Sequence, residues 1–284
     1  MTPPGYRTRI APTPTGWLHL GHARTFVETA ERARNHNGTL ILRIEDLDPA
    51  RSQDRFRDAA LEDLRWLGVH WSEGPDVGGP HAPYVQSERT AIYRNHLEFL
   101  RQRDLVYPCY CSRKDILNAA QAPHRGEDEW IYPGTCRHLS ATSIRESQPY
   151  CWRFRLETGR RWRFRDGRLG MMEYTAGEDF GDFGVLRPDN VPAYQLAVTI
   201  DDALMGVTEV VRGADLLVST ARQLALYDAF GWTPPTFYHC PLVVDAAGER
   251  LAKRTNAQSL QTLRAHGETP QTLRKRWAEH LSSR

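Results

Sequence analysis

The fold is decided by residues 7–46, which read RTRIAPTPTGWLHLGHARTFVETAERARNHNGTLILRIED. A short strand pattern at residues 7–11 leads into the turn-rich PTPTG, after which apolar residues recur at helical spacing at Ala23, Phe26, Val27 and Ala30. Gly38 ends this helix, and TLILRIED is a second strand pattern. A strand, a helix and a strand in close succession predict a β-α-β unit with parallel strands, and therefore an α/β fold.

The rest of the chain carries further helix and strand patterns. Helices are predicted at residues 52–67, ended by Gly68, at residues 87–103, with Ser87 as N-cap, and at residues 219–230, ended by Gly231. Residues 151–167 (CWRFRLETGRRWRFRDG) alternate apolar and charged residues, which predicts a β-hairpin. Strand-like runs return after residue 193 as YQLAVTI, GVTEVV and PLVV. The simplest architecture is one α/β domain interrupted by a smaller inserted domain.

Composition is that of an ordinary folded protein, with 284 residues, 40% of them hydrophobic and 25% charged. The net charge is only +2, so any binding of nucleic acid must come from a local patch. Residues 145–168 hold eight arginines and three acids, which suits contact with phosphates and equally suits a solvated edge hairpin. The N-terminus has no signal-peptide pattern, and no run approaches the roughly 18 apolar residues of a membrane span. We therefore expect a cytoplasmic protein without membrane contact.

The sequence HLGH places His19 and His22 around Gly21 at the first strand-to-helix turn. The first-turn amides and the helix dipole attract phosphate, and a glycine lets the ligand approach the backbone. Two imidazoles there can donate hydrogen bonds to charge that builds on phosphate oxygens. Taken alone, the motif fits two surface histidines near a turn equally well, because so short a pattern is weak evidence.

The surrounding sequence distinguishes these interpretations. The run APTPTGWLHLGHART at residues 11–25 resembles the first signature of class I aminoacyl-tRNA synthetases, specifically the glutamate group, and RLAKR at residues 250–254 resembles the second. Further similar stretches are RIEDLD at 43–48, QSER at 86–89, YPGTCR at 132–137, YQLA at 194–197 and VVRGADLL at 210–217. The second signature departs from the family pattern at Arg250, where lysine is usual, and at Ala252, where serine is usual.

The resemblance implies a Rossmann-like nucleotide-binding domain with a zinc-binding α+β insertion, divided as residues 1–104, 105–190 and 191–284. It implies activation of L-glutamate by ATP, with Mg²⁺, to glutamyl-adenylate. His19, His22 and Lys253 are the implied catalytic residues, and Gly21 and Arg250 join them in binding ATP. A carboxylate is already ionised at neutral pH, so positioning and charge neutralisation suffice and no general base is assigned.

The resemblance also implies a glutamate pocket, formed by Arg9, Ile10, Ala11, Pro12, Thr13, Glu45, Tyr194 and Arg212. A substrate with two carboxylates and one ammonium needs cations, a hydroxyl and one anion, and arginine suits planar carboxylates better than lysine does. From the residues alone, the preferred interpretation is that Glu45 and Asp46 are capping residues and that Arg212 is a structural ion-pair partner.

Three of the five cysteines, Cys109, Cys111 and Cys136, lie in one short region, which in a reducing compartment favours a metal over disulfides. Four-coordinate closed zinc sites are structural. The residue types alone favour His138 or His124 as the fourth ligand, whereas the family pattern C-x-C then Y-x3-C implies Tyr132. We predict one structural zinc per chain, and we expect Cys151 and Cys240, apart from this cluster, to be free thiols.

Thirty residues follow Arg254, which leaves no room for an anticodon-binding region within this sequence. Together with the cysteine pattern, this resembles a truncated branch of the family that places glutamate on the queuosine base in the anticodon of tRNA(Asp). We expect a monomer acting on that tRNA. Three alternatives stay open: a minimal synthetase charging a tRNA 3′ end, a small-molecule nucleotidyltransferase, and a non-catalytic RNA-binding paralogue.

Overall fold

A computed structural model of the chain describes residues 5–112, 114–116, 131–145, 147–243 and 259–282. Nine strands and seven α-helices are described in these ranges. In chain order they are β1 (Arg7–Ile10), α1 (Leu20–Asn35), β2 (Thr39–Leu42), α2 (Asp54–Trp66), α3 (Thr90–Gln102), β3 (Val106–Cys109), β4 (Cys151–Phe154), β5 (Arg161–Asp166), β6 (Gly170–Thr175), β7 (Phe183–Leu186), α4 (Tyr194–Leu204), β8 (Glu209–Gly213), α5 (Leu217–Phe230), β9 (Thr236–Cys240), α6 (Leu260–Ala265) and α7 (Pro270–Ser282).

The chain divides into two compact units. The first comprises Met1–Glu88, Val207–Asp215 and Phe237–Arg284, and the second comprises Arg89–Gly206 and Leu216–Thr236. The domain limits predicted at residues 104/105 and 190/191 both lie inside the second unit, and that division stays a prediction. None of the described helices is both long enough and apolar enough to cross a membrane.

The first unit begins with the β-α-β unit that the sequence predicts. Strands β1 and β2 pair in parallel, with Arg7 opposite Thr39 and Ile10 opposite Leu42, and α1 connects them. The apolar face of α1 packs into a buried cluster with residues of both strands, of α2 and of the C-terminal helices, including Ile10, Val27, Leu42, Leu64, Leu273 and Trp277. The prediction of an α/β fold with a parallel sheet is confirmed.

Two glycines end helices as the sequence predicts, each for a different reason. The amide of Gly38 donates to the carbonyl of Ala33 beyond the end of α1, and a side chain at position 38 would collide with the carbonyl of Tyr6. Gly231 follows α5 with φ +69°, a left-handed conformation that costs glycine little. Gly38 therefore lets β2 begin directly beside the residue that precedes β1.

The second unit combines antiparallel strands with helices. Strands β3, β4 and β7 form one antiparallel sheet, and β5 and β6 form an antiparallel hairpin. Helix α4 packs against α5, and α5 packs against β5.

Three sequence predictions of secondary structure are wrong. YQLAVTI is not a strand but the start of α4, whose residues from Leu196 to Asp202 are all buried. A continuous apolar run fits a buried helix as well as a buried strand, so periodicity could not separate them. Residues 241–243 of PLVV are not in a strand either, because β9 ends at Cys240 and the proline that follows has no amide hydrogen to donate, while Val244 lies outside the described residues.

The third wrong prediction is the hairpin within residues 151–167. Its alternation is correct, since Trp152, Phe154, Trp162 and Phe164 are buried and their neighbours are not. The partners differ, however, because β4 pairs with β3 and β7, while β5 pairs with β6 across the turn at residues 166–170. Alternation predicts which face of a strand is buried, but it does not identify the neighbouring strand.

Candidate active site

His19 and His22 lie side by side at the N-terminus of α1. Their imidazole rings stack with centroids 3.9 Å apart and an interplanar angle of 27°. His19 is the N-cap residue, and the first turn of this 16-residue helix carries no acidic residue. Gly21 keeps the space beside the rings open, because even a Cβ there would lie 3.4 Å from the His19 ring. Two imidazoles that can donate hydrogen bonds thus lie together at the positive end of a helix dipole, an arrangement that suits a phosphate.

The second signature falls in residues 244–258, so Arg250, Ala252, Lys253 and Arg254 lie outside the described residues. The chain resumes at Ser259, which pairs with His19 in an antiparallel bridge. The amide of Leu260 donates to the carbonyl of Leu18 over 2.8 Å. The backbone therefore returns to the histidine pair six residues after Lys253.

The predicted glutamate-binding residues near the N-terminus are brought beside Glu45 by the backbone of the first unit. The amide of Glu45 donates to the carbonyl of Pro12 over 3.0 Å, and the amide of Arg43 donates to the carbonyl of Ile10 over 3.0 Å. Arg9, Ile10, Pro12 and Glu45 are buried, Ala11 is half-buried and Thr13 is exposed. The run from Arg9 to Thr13 therefore lies against the strand end that carries the Glu45 carboxylate.

Arg43 holds the Glu45 carboxylate in place. Its side chain is completely buried, and its Nη2 donates to Oε1 of Glu45 over 2.9 Å, while Glu45 itself is 8% exposed. A buried carboxylate needs a counter-charge, and this guanidinium supplies one. Arg43 was not among the residues predicted from the sequence, although it lies two residues before Glu45 and so on the same face of an extended chain.

The side chain of Arg9 from β1 contacts the backbone of β8 beside Arg212. Nη1 of Arg9 donates to the carbonyl of Val211 over 3.3 Å, next to Arg212, and each arginine is 4% exposed. Nε of Arg212 donates to Nε2 of the fully buried His239 over 3.2 Å, so this nitrogen of the imidazole is the acceptor. His239 was also missed by the sequence analysis, and alternation within TFYHC is the signal that marks it as inward-facing.

Tyr194 is the one predicted glutamate-binding residue outside the first unit. It is the first residue of α4 in the second unit, and it is 39% exposed.

The two acidic residues after β2 have different environments. The Asp46 carboxylate accepts hydrogen bonds from the amide and the hydroxyl of Ser87, over 2.8 and 2.7 Å. Asp46 is thus the capping residue considered above, and it caps the 3-10 turn at Gln86–Arg89 that precedes α3. The prediction of Ser87 as a helix N-cap is wrong, because α3 begins at Thr90 and Ser87 itself is bound by Asp46.

The predicted metal ligands meet in the second unit. The sulfurs of Cys109, Cys111 and Cys136 all lie within 4.8 Å of one another, and Sγ of Cys111 is 3.7 Å from Sγ of Cys136. The hydroxyl oxygen of Tyr132 lies 3.4 Å from Sγ of Cys109 and 3.7 Å from Sγ of Cys111. His138 is exposed and is not in this group, and His124 lies outside the described residues.

This donor set fits zinc. Zinc–sulfur bonds of about 2.3 Å in a tetrahedron place two sulfurs about 3.8 Å apart, close to the separation between Cys111 and Cys136. With a zinc–oxygen bond of about 2.0 Å, the sulfur-to-oxygen edge is about 3.5 Å, which matches the distances to Tyr132. The amide of Cys136 donates to the same tyrosine oxygen over 2.7 Å and so orients it.

Cys151 belongs beside this cluster, and the expectation that it stands apart is wrong. It is the cross-strand partner of Cys109 in the pairing of β4 with β3. A hydrogen bond from Cys151 lowers the pKa of the Cys109 thiol to about 4, and burial raises the pKa of the Cys111 thiol to about 11. The guanidinium carbon of Arg153 lies 4.0 Å from the centre of the Tyr132 ring. Cys151 therefore lies next to the predicted ligands and contacts one of them.

Residues 6–278 match the family model of the catalytic domain of class I tRNA synthetases for glutamate and glutamine (E and Q). The chain belongs to this family. A glutamyl-Q tRNA(Asp) synthetase of Symbiobacterium thermophilum is 49% identical over 93% of this chain and 83% of its own length. The protein of that name in Nitratidesulfovibrio vulgaris is 47% identical over 92% of this chain and 82% of its own length. A glutamate–tRNA ligase of an Anaeromyxobacter species is 43% identical, and the match covers 94% of this chain but 56% of the ligase.

Solved structures agree with this assignment. The crystal structure of a glutamate–tRNA ligase from Elizabethkingia meningosepticum, in complex with its amino acid, superimposes with a TM-score of 0.76 at 31% identity. It covers 88% of this chain, and this chain spans 52% of that ligase. The chain thus spans about half the length of the solved glutamate–tRNA ligase that it matches. The residues singled out above therefore lie on the catalytic domain of a class I tRNA synthetase.

Proposed function

We propose that this synthetase domain activates L-glutamate with ATP and transfers it to the queuosine base in the anticodon of tRNA(Asp). The observation that carries the first step is the paired histidines at the N-terminus of α1, to which the chain returns at Ser259. The acceptor rests on similarity, since three relatives at 44–49% identity bear the name glutamyl-Q tRNA(Asp) synthetase.

In the first step, the α-carboxylate of glutamate attacks the α-phosphorus of ATP. A carboxylate-to-phosphorus bond forms as the bond to the bridging oxygen breaks, and pyrophosphate leaves with the electron pair. Negative charge grows on the phosphate oxygens during this exchange. His19 and His22 donate hydrogen bonds to these oxygens, the amides that begin α1 add a positive field, and Lys253 neutralises the leaving pyrophosphate.

The glutamate pocket supplies two cations and one anion. Arg9 and Arg212 bind carboxylate, and Glu45 binds the ammonium group. The guanidinium of Arg43 donates to Oε1 of Glu45 and so holds the carboxylate that would bind the ammonium group. His239 accepts a hydrogen bond from Nε of Arg212 and so fixes the plane of a guanidinium group, whose shape suits planar, bidentate binding of a carboxylate. Glutamine lacks the second negative charge and is therefore a poor substrate for this arrangement.

Zinc, when bound, would be held by Cys109, Cys111, Cys136 and Tyr132 and would stabilise the fold of the second unit. All four positions would be filled by protein groups, as in structural rather than catalytic zinc sites. The chain's own contribution is to bring two cysteines from the end of β3 and the residues just after it together with the tyrosine and cysteine of residues 132–136, with the three sulfurs within 4.8 Å of one another.

In the second step, a hydroxyl of the queuosine base attacks the carbonyl carbon of the glutamyl-adenylate. An ester bond forms, the bond from carbonyl carbon to phosphate oxygen breaks, and AMP leaves while the hydroxyl proton passes to solvent. A second candidate acceptor is the 3′ end of a tRNA, because a glutamate–tRNA ligase is 43% identical to this chain.

Pyrophosphate exchange into ATP with a panel of amino acids tests the activation step. We expect exchange that depends on L-glutamate and is far weaker with glutamine and aspartate, measured with and without tRNA. A protein that exchanges no pyrophosphate with glutamate under either condition would contradict the proposal and favour a non-catalytic RNA-binding role.

A further inference from the structure

The outer face of the hairpin formed by β5 and β6 carries a row of arginines. Burial alternates along β5, so that Trp162 and Phe164 face inward and the three arginines between and beside them face solvent. The side chains of Arg161 and Arg163 are 62% and 65% exposed. The inward face is fixed by packing, because the Trp162 ring lies 5.6 Å from the Phe180 ring and its indole nitrogen donates to Asp228. The direction of the arginines follows from that packing.

One carboxylate opposes this row on the same face. Glu173 of β6 lies across from Arg163 and forms ion pairs with both Arg163 and Arg161. Arg165 lies across from Met171, which is 68% exposed and carries no charge. Asp166, the next residue, is buried and accepts hydrogen bonds from the amides of the turn at residues 168–169. The exposed face therefore has three cations against one anion, and its charge is least compensated at Arg165.

The geometry of this face favours a ligand with regularly repeated negative charges. Alternate residues of a strand are about 6.7 Å apart, which is comparable with the separation of successive phosphates along a nucleic-acid strand. Guanidinium groups bind phosphate oxygens in a bidentate manner. A role in blocking edge-to-edge pairing explains the row less well, because β6 is the end strand of its sheet and the arginines lie on β5.

We propose that Arg161, Arg163 and Arg165 bind the phosphodiester backbone of the tRNA substrate. This proposal rests on the proposed function only in assuming that the substrate is a tRNA. Glu173 then competes with RNA for two of the three guanidinium groups. Removing its charge is expected to strengthen RNA binding, an effect that a purely structural ion pair would not produce.

The test measures binding of tRNA(Asp) carrying queuosine by fluorescence anisotropy, between about 50 and 200 mM salt, where phosphate contacts dominate the salt dependence. For the triple variant Arg161→Gln, Arg163→Gln, Arg165→Gln we expect binding weaker by about tenfold or more and a shallower slope of log K against log salt, by about 2. Glu173→Gln is expected to bind more tightly with a steeper slope. Replacing the three arginines by lysine should preserve most of the slope, since the charge is kept.

The matched control is Arg55→Gln, Arg57→Gln, Arg65→Gln on α2, which removes the same charge from a different surface and should leave the slope near that of the wild type. Equal slopes of log K against log salt for the two triple glutamine variants would overturn the proposal, and so would RNA binding by Glu173→Gln that is no tighter than that of the wild type. Wild-type protein that binds polyglutamate in preference to RNA would also overturn it. Pyrophosphate exchange without RNA is measured on every variant. Absence of exchange by the wild type, both in this assay and with tRNA present, would refute the proposed activation step, whereas normal exchange with unaltered RNA binding would refute only this surface.

Discussion

At the scale of single residues, the proposed glutamate site depends on a buried ion pair as well as on the residues expected to face the substrate. Arg43 is completely buried and bonded to Glu45, so its effect on glutamate passes through the orientation of that carboxylate. Arg43 is therefore a positioning residue. The hydrogen bond of 2.9 Å between these two side chains fixes the Glu45 carboxylate, and through it the predicted position of the substrate ammonium group.

Replacing Arg43 by methionine should raise the KM for glutamate by about tenfold or more, because an unpaired buried carboxylate reorients or takes up a proton. The KM for ATP should change much less. The measurement is pyrophosphate exchange with each substrate varied in turn. Arg7→Met is the matched control, since Arg7 pairs with Glu73 in the same unit over 2.8 Å and is not a predicted site residue. Equal effects of the two substitutions on stability, with both KM values unchanged, would rule out the positioning role.

The histidine pair and the signature lysine give a second prediction at this scale. His22→Ala and Lys253→Ala should each lower the rate of pyrophosphate exchange by about 100-fold, as is usual when a donor to a transition-state oxyanion is lost. His70→Ala and Lys275→Ala, at exposed positions, should leave the rate unchanged. Exchange at the wild-type rate in both site variants would show that other groups stabilise the phosphate charge.

At the scale of helices and strands, the sequence predicts burial better than it predicts partners. The β-α-β unit is local, and its strands pair as expected because one helix connects them. The partner of β5 depends on a tight turn at residues 166–170, and the alternation pattern alone is equally compatible with pairing to β4. The residues of YQLAVTI from Leu196 onward are all buried, so neither helical nor strand periodicity is visible in them.

The thiol cluster supports a prediction about metal and stability. Protein purified without chelator should contain one zinc per chain, and Cys136→Ser should lose it together with much of the stability of the second unit. Cys240→Ser is the control, because that thiol is buried outside the cluster. Tyr132→Phe should weaken zinc binding whereas Cys151→Ser should not. Zinc affinity is measured by competition with a chromogenic chelator. Weaker zinc binding by Cys151→Ser than by Tyr132→Phe would assign the fourth ligand to Cys151.

A second element-scale prediction concerns the junction of β1, α1 and β8. Burial tends to raise the pKa of the Glu209 carboxyl, but hydrogen bonds from Arg32 and Tyr6 outweigh it and the pKa is lowered. A carboxyl whose folded pKa is depressed stabilises the protein above its unfolded pKa of about 4.3, and this contribution is lost as pH falls through the folded value.

Glu209→Gln should therefore reduce the free energy of unfolding by about 2–4 kcal/mol at neutral pH. The difference from wild type should shrink as pH falls below about 4, where the wild-type carboxyl also becomes neutral. Urea unfolding of both proteins, from neutral pH to below about pH 4, measures this difference in the free energy of unfolding. Asp58→Gln is the control, since its carboxylate is exposed and should show little dependence. A difference between wild type and Glu209→Gln that stays constant with pH would contradict the assigned ion pair.

At the scale of the whole molecule, residues far apart in sequence meet, and no local pattern predicts this. Arg9 bonds to the carbonyl of Val211, and the amide of Thr208 donates to the carbonyl of Arg7 over 2.9 Å. The resemblance to a family predicted Arg9, Glu45 and Arg212 because a family's set of substrate-binding residues already includes residues that are distant in sequence and close together in the fold. Arg43 and His239 were missed because they act on those residues, and a list of substrate contacts does not include such supporting groups.

The last prediction is the position of glutamate on the RNA product. A modified anticodon base lies in a single-stranded loop, where bases are unstacked and readily bound by proteins, whereas a 3′ end offers the terminal ribose. Periodate oxidation of the terminal ribose does not separate these acceptors, because it also attacks the cis-diol of queuosine. Nuclease digestion of RNA charged with labelled glutamate separates them, because it shows which nucleoside carries the label. We expect the label on the nucleoside of the anticodon loop, and none on tRNA(Asp) that lacks queuosine. Label on the terminal adenosine, or equal labelling of both RNAs, would instead assign ordinary aminoacylation to this synthetase domain, while leaving glutamate activation and the pocket around Glu45 as proposed.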